Sequence, residues 1–240
     1  GLADMLCQLG LPYDTDEAIE KAAHVVEAIK LWAYDESANL AAEKGPFPAF
    51  DPSCHFDNPF FESFPPDLSK KMHKNGLRNV TLLTQAPNGT IGTMVGTSTG
   101  IEPFFSWSFY RKSRLGWHEE AVAVVEAWRA AHPEATALPD HFVTAMELTP
   151  LEHVGAQAAI QRWIDSAISK TCNVPNDYTV DQTRALYEDM YRLGCKGGTV
   201  YRDGSRDHQV LSHATAKGPS PTSLVKRTLP SGETLRTRRS

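Results

Sequence analysis

The run Leu82-Leu83-Thr84-Gln85-Ala86-Pro87-Asn88-Gly89-Thr90-Ile91-Gly92 combines residue types that can hold an anion without a charged side chain. An apolar, β-prone stretch from Val80 to Leu83 feeds a Pro-Asn-Gly turn, and Gly96-Thr97-Ser98-Thr99-Gly100-Ile101-Glu102-Pro103 follows. Small residues at such a turn let bare backbone approach a ligand. A helix starting near Thr90 aims its first amides forward, into a position that suits a phosphate. The predicted cradle is Ala86, Pro87, Asn88, Gly89, Thr90, Ile91 and Gly92. Backbone amides are its main donors, the Thr90 hydroxyl adds another, and Gly89 is expected in a conformation that a Cβ forbids. Asn88 offers a side-chain amide donor or serves as a turn former. No Gly-Lys-Ser/Thr follows, and the Gly-x-Gly-x-x-Gly spacing is absent. An ordinary Gly/Thr turn that binds nothing therefore stands beside the phosphate site as a reading of these residues alone.

Other reactive side chains are read more plainly. Glu102 precedes Pro103 in a turn and is expected to cap nearby N–H groups, not to act as acid or base. Cys172 and Cys195 are expected as small buried hydrophobes. Cys7, Cys54, Cys172 and Cys195 are widely spread with no CxxC pair, which argues against a disulfide scaffold or a zinc site. The histidines form no ligand cluster, and His118, His132 and His153 are expected at the surface or at helix caps. Tyr201 is expected as a core tyrosine with a satisfied hydroxyl, an orientation into a site being the rival.

The elements that must position these residues follow from periodicity. Residues 14–44 read as one long helix, capped by Asp14 with Glu17 completing a capping box, Ala18, Ala22, Val25, Ile29 and Trp32 forming its stripe, and Gly45-Pro46 ending it. Residues 46–78 read as an irregular loop pinned by Phe47, Phe50, Phe56, Phe60, Phe61 and Phe64. Residues 79–85 lack polar alternation and are predicted as a buried strand. A helix is predicted over 118–131. Another starts at Thr149-Pro150-Leu151-Glu152 and runs to about Lys170, and a third runs from Thr179 to Gly194. A short strand follows from Gly198 to Arg202. Helix then strand, twice, indicates an α/β layer or barrel. From about Ser212 the composition turns to Pro, Ser, Thr and Gly with a basic excess, which reads as a disordered basic tail or linker over 212–240.

Taken whole, the loop resembles the phosphate-binding loop of ribonucleotide reductase large chains, with Asn88 where Thr is usual and Gly92 where Ser is usual. Three more blocks resemble that family in its order: Gly1-Leu2-Ala3-Asp4-Met5-Leu6 with Leu9-Gly10-Leu11-Pro12-Tyr13; Ala167-Ile168-Ser169-Lys170-Thr171 with Asn173-Val174-Pro175-Asn176; and Leu193 through Arg206. The last block is most similar to the adenosylcobalamin-dependent class, and the single Tyr201 favours that class over the one with a Tyr-Tyr pair and a separate iron subunit. The resemblance spans roughly residues 1–211. It implies the C-terminal portion of a ten-stranded α/β barrel with long helices. It also implies radical reduction of a ribonucleoside diphosphate or triphosphate to the deoxyribonucleotide, with adenosylcobalamin as cofactor and a thioredoxin-like reductant. The family's radical cysteine, redox cysteine pair, and catalytic Asn and Glu are expected upstream of Gly1. The chain alone is therefore expected to be inactive and to need the remainder of the catalytic domain, and a homodimer fits the same frame. The alternative is a non-catalytic, nucleotide-binding or complementing subunit of a split reductase.

Bulk properties agree. A chain of 240 residues can bury a substantial core. A formal net charge of −5 argues against general nucleic-acid binding, while leaving one local phosphate cradle compatible. No apolar run approaches a membrane span, and the unpaired cysteines fit a cytoplasmic setting.

Overall fold

The computed structural model describes residues 1–113, 116–205, 225–228 and 234–237. Helix α1 (Leu2–Leu9) ends at Gly10 in the left-handed conformation. Helix α2 (Asp16–Lys44) is capped by Thr15, whose Oγ1 accepts the Ala18 N–H at 3.3 Å, so the cap lies one residue after the expected Asp14. Its buried face is Ala18, Ala22, Lys30, Tyr34, Ser37, Ala38 and Ala41. The expected stripe holds only for its alanines: Val25, Ile29 and Trp32 are 38%, 44% and 71% exposed. The alanines let α2 lie close to its neighbours, while Lys30 and Tyr34 fill the space beside the phenylalanine-rich segment.

Residues 46–78 are more ordered than a loop. They hold α3 (Pro52–His55), α4 (Pro59–Glu62) and α5 (Pro66–Asn75), each starting at a proline, where a missing N–H costs nothing. Asp51 and Asn58 cap the first two. The phenylalanines do pin this segment, packing with Tyr34, Ala38, Met72 and Leu77; the Tyr34 and Phe64 ring centroids lie 4.9 Å apart. Lys30 is the unexpected member. Its Nζ sits 3.9 Å from the Phe64 centroid and 4.1 Å from that of Phe60 and donates to Ser63 Oγ at 2.6 Å. Burial holds its pKa down at about 8.

Residues 80–85 run extended but form an edge segment, not a buried strand. Gln85 bridges Ile168 in parallel, the Ser166 N–H donates to Leu83 O at 3.0 Å, and the Ser169 N–H to Gln85 O at 2.8 Å. Val80 is 59% exposed, because backbone partners line one side only. Helix α6 (Gly89–Val95) follows, then β1 (Ser108–Ser113) and β2 (Gly116–Ala121) as an antiparallel pair with Arg111 opposite His118. The helix predicted over 118–131 is thus shortened to α7 (Ala123–Ala131); pairing with the β-prone Phe109-Tyr110 run captures 116–121 as strand.

Helix α8 (Pro150–Gln161) has the predicted Thr149/Glu152 capping box. It stops at Gln161, well before Lys170, because the Gln161 side chain folds back to donate to Ile164 O at 3.0 Å and Ser166 O at 2.9 Å. Strand β3 (Thr171–Val174), helix α9 (Val180–Arg192) and strand β4 (Thr199–Arg202) make a β–α–β unit with β3 parallel to β4, Thr171 opposite Thr199. Thr179 and Gln182 form the second predicted capping box, and Gly194 takes a φ of 81° just past the helix. Segments 83–85, 166–174 and 199–202 therefore run side by side in one direction, as in a stretch of α/β barrel wall. Within the basic tail, β5 (Val225–Thr228) and β6 (Thr234–Thr237) pair antiparallel; the rest of 212–240 lies outside the described residues.

One carboxylate ties three of these pieces together. Asp165 accepts the Tyr34 hydroxyl at 2.6 Å, the Leu82 N–H at 2.6 Å and the Leu83 N–H at 3.0 Å. Asp165→Ala strands two amides and a phenol, and is expected to cost about 3 kcal/mol. Asp165→Asn, which keeps one acceptor oxygen, should cost less. Urea titration of the two variants checks the order; equal stabilities would show that the bonds are replaced by water.

Candidate phosphate-binding site

The predicted cradle is a turn leading directly into a helix. Ala86 to Ile91 are exposed, and α6 begins at Gly89. The Gly92 N–H donates to Asn88 O at 2.8 Å and closes the first turn of the helix. The residue with positive φ is Asn88 (φ 49°), not Gly89 as expected. Asn tolerates this left-handed state better than other side chains because its short polar group bonds locally, which accounts for Asn here. Thr90 stands in the first turn of the helix with its side chain exposed.

Gly92 also differs from expectation. A Cβ at this position would come within 2.6 Å of Thr99 Cγ2 and 3.3 Å of the Thr99 backbone. Glycine is therefore set by the close return of the Thr97–Gly100 segment rather than by the mere absence of a hydroxyl. Gly100 (φ 54°) makes a second close approach; a Cβ there would lie 3.2 Å from Ala86 O. Ser98 anchors this return to α1, its N–H and Oγ donating to Asp4 Oδ2 at 2.7 and 2.6 Å.

Glu102 does cap a backbone amide: Oε1 accepts the Thr171 N–H at 2.6 Å. Oε2 lies 3.7 Å from Lys170 Nζ. Burial pushes the Glu102 carboxyl up and the Lys170 ammonium down, and each charge opposes the shift of the other. Lys170 Nζ donates to His153 Nδ1 at 2.7 Å, and the other ring nitrogen, Nε2, faces Ala145 O at 2.9 Å. His153 is only 1% exposed, correcting the expected surface or cap role. Burial and the neighbouring ammonium hold its pKa at about 3, so the ring is neutral. His132 does sit at a helix end, stacked on Trp128, and His118 lies on β2. Lys170 was missed by sequence reasoning; a lysine directly preceding the alternating run of β3 was its only signal.

Cys172 and Cys195 pack in one cluster with Val154, Val174, Leu186 and Met190, as small hydrophobes. Burial pushes Cys172 up to about 11, Cys7 up to about 12, and Cys195 upward. Such thiols stay protonated and are poor nucleophiles. Tyr201 is half-buried on β4 opposite Asn173. Among the described residues no cluster of His, Cys, Asp and Glu could hold a metal ion, and no helix is long and apolar enough to cross a membrane.

An extended segment, a left-handed turn and a helix start beside parallel strands make an α/β barrel segment with an exposed loop. The family model "Ribonucleotide reductase, barrel domain" matches residues 1–201, so the chain belongs to the ribonucleotide reductase family through that domain. Two relatives named vitamin B12-dependent ribonucleoside-diphosphate reductase are similar to it. That of Mycobacterium tuberculosis H37Rv is 37% identical over 90% of this chain and 31% of its own length. That of Thermoplasma acidophilum is 35% identical over 92% of this chain and 30% of its own length. The chain thus spans about a third of the curated relatives it matches. In fold it resembles the Actinobacillus ureae class Id ribonucleotide reductase alpha subunit, with a TM-score of 0.62 at 18% identity, covering 85% of this chain and 38% of that one.

Two outcomes follow from this geometry. Gly92→Ser should overpack against Thr99 and destabilise by about 1–3 kcal/mol, and Thr99→Ala in the same chain should recover most of that loss; thermal melts of the single and double variants check it. Brief iodoacetamide treatment at mildly alkaline pH should label Cys54, which is exposed, well before the buried Cys7 and Cys172. Peptide mass spectrometry reads the order, and early labelling of Cys172 would show that its cluster opens.

Proposed function

We propose that this segment holds the nucleotide phosphates and helps to close the barrel in an adenosylcobalamin-dependent ribonucleotide reductase. The observation that supports the reading most directly is the loop itself: residues 86–92 turn at a left-handed Asn88 and present the first turn of α6 outward, within a chain of this family. The backbone amides of that turn and the Thr90 hydroxyl donate to phosphate oxygens, and the positive end of the short helix favours their charge. The proposed contacts are Ala86, Pro87, Asn88, Gly89, Thr90, Ile91 and Gly92. The substrate is a ribonucleoside diphosphate, in keeping with the names of the relatives. A thioredoxin-like dithiol supplies the electrons, and the cytoplasm is the proposed setting.

Cobalamin would supply the radical chemistry when bound, in keeping with the names of the relatives, and none of the described residues is assigned to hold it. No step here is routed through the cofactor. Burial pushes the thiols of Cys7, Cys172 and Cys195 upward and Cys54 is exposed, and the radical and redox cysteines are not drawn from these four.

The purified chain with adenosylcobalamin, dithiothreitol and a ribonucleoside diphosphate should give no deoxynucleotide, whereas a reductase carrying this segment should turn over. In that reductase Thr90→Val should raise KM for the diphosphate about tenfold, the loss of one hydrogen bond to a charged group. Turnover by the chain alone would overturn the assignment of the chemistry elsewhere. Nucleotide binding without turnover in any assembly would favour a binding subunit.

A further inference from the structure

Residues 85 and 102 bound a long excursion that leaves and returns to the same short stretch of strand. At its start, the Ser169 N–H donates to Gln85 O at 2.8 Å. At its end, the Thr171 N–H donates to Glu102 Oε1 at 2.6 Å. Amides two residues apart on an extended chain point to the same edge, so one strand edge grips both ends of the loop. Lys170 lies between them with its side chain 1% exposed. Its ammonium donates to His153 Nδ1 at 2.7 Å and Thr171 O at 3.1 Å, and faces Glu102 Oε2 at 3.7 Å. Tyr13, fully inside, donates its hydroxyl to Ile101 O at 2.5 Å and fixes the residue before Glu102.

We propose that Ser169-Lys170-Thr171 and Glu102 form a clamp that sets the span of the phosphate loop, with Glu102 and Lys170 as positioning residues for nucleotide phosphate. The proposal rests on the phosphate-loop reading above. Glu102 is turned toward β3, where its carboxylate is taken by a strand amide and an ammonium, so it acts through backbone and not at reacting atoms. The link to the loop is short. The Glu102 N–H donates to Thr99 O at 2.9 Å, and Thr99 is the residue that packs against Gly92 of the cradle. Thr99 fills the space that a Cβ at Gly92 would take, and the Thr97 N–H donates to Gly92 O at 3.0 Å, so a shift of Glu102 passes through Thr99 to the first turn of α6. The neutral His153 has a distinct part: its Nδ1 accepts from Lys170 because its Nε2 proton is spent on Ala145 O. Removing either charge leaves the other buried without its counter-ion, whereas removing both leaves none.

The test uses the reductase that carries this segment, with inorganic pyrophosphate as a probe of the loop. Glu102→Gln keeps an acceptor for the Thr171 N–H and drops the charge. Lys170→Met drops the cation. Each single variant should raise both the pyrophosphate Ki and the KM for the diphosphate about tenfold, with kcat within about twofold. The double variant should lie closer to wild type than either single. Singles that fold, as seen by circular dichroism, with unchanged pyrophosphate Ki overturn the clamp, as does a fall in kcat at constant KM. Thr90→Val separates the two readings. If it raises Ki while Glu102→Gln does not, the clamp fails and the phosphate loop stands; if neither moves Ki, the phosphate loop itself fails. Should Lys170→Met not fold, Glu102→Gln and Lys170→Arg decide alone, Arg restoring the charge and with it most of the affinity.

Discussion

The constraint on which the structure turns is the need to occupy the backbone of residues 165–171. This stretch leaves α8 as irregular chain and becomes β3, so it has no helix of its own to satisfy its amides. An unpaired buried amide is costly, and three of the amides here are given to residues 83–102. Ser166 N–H goes to Leu83, Ser169 N–H to Gln85 and Thr171 N–H to Glu102, while the Asp165 side chain takes the amides of Leu82 and Leu83 in return. The extended approach to the loop, the loop's two ends and the first strand of the β–α–β unit are thereby fixed by one satisfied edge. Weakening that edge does not remove one contact; it frees the platform from which the cradle projects.

The polar network beside this edge obeys a different economy. Buried ion pairs seldom add net stability, because the desolvation of two charges offsets their attraction. What they add is discrimination between arrangements. Lys170, with no aqueous escape, has a satisfactory position only when Glu102, His153 and the Thr171 carbonyl all converge on it. Residues 101–103 return from a loop of small, conformationally permissive residues that alone would wander. A charge on each side of the closure converts that freedom into a narrow well. The aromatic cage around Lys30 uses the same logic on the buried face of α2, where a cation fixes a proline-rich segment that is otherwise rich in interchangeable phenylalanines.

How much was legible in the sequence depends on whether the determining contact was local. The capping boxes at Thr149 and Thr179 are four-residue signals, and both are present. The aromatic anchors were legible because no other fate suits that many phenylalanines. The stripe of α2 was misread because the period of Val25, Ile29 and Trp32 is as helical as that of the true face; only the helices packed against it select the alanines. The end of α8 was invisible because a glutamine side chain, not a glycine or proline, stops it. Residues 118–121 went to a strand because their partner, β1, lies in the preceding segment and outbids helix propensity. In the candidate site, the turn and the helix start were legible as residue types, but not the contacts of Glu102 with Thr171 and Lys170. Nothing local joins Glu102 to Lys170 across the intervening chain; only the parallel register of the sheet brings them together.

Asn88 and Gly92 make sense as a pair of backbone decisions. Asn88 takes the left-handed state and α6 starts at Gly89. That places Gly92 under the returning Thr99, where a serine Cβ would collide with the Thr99 side chain. Glycine at 92 is then not a lost donor but the condition for Thr99 to close on the helix. Thr99 in turn passes the position of Glu102, through its carbonyl, to the first turn. The backbone of this turn is set by what packs behind it, and substitutions at Asn88 and Gly92 are therefore to be judged first by the backbone state and the contacts they permit there.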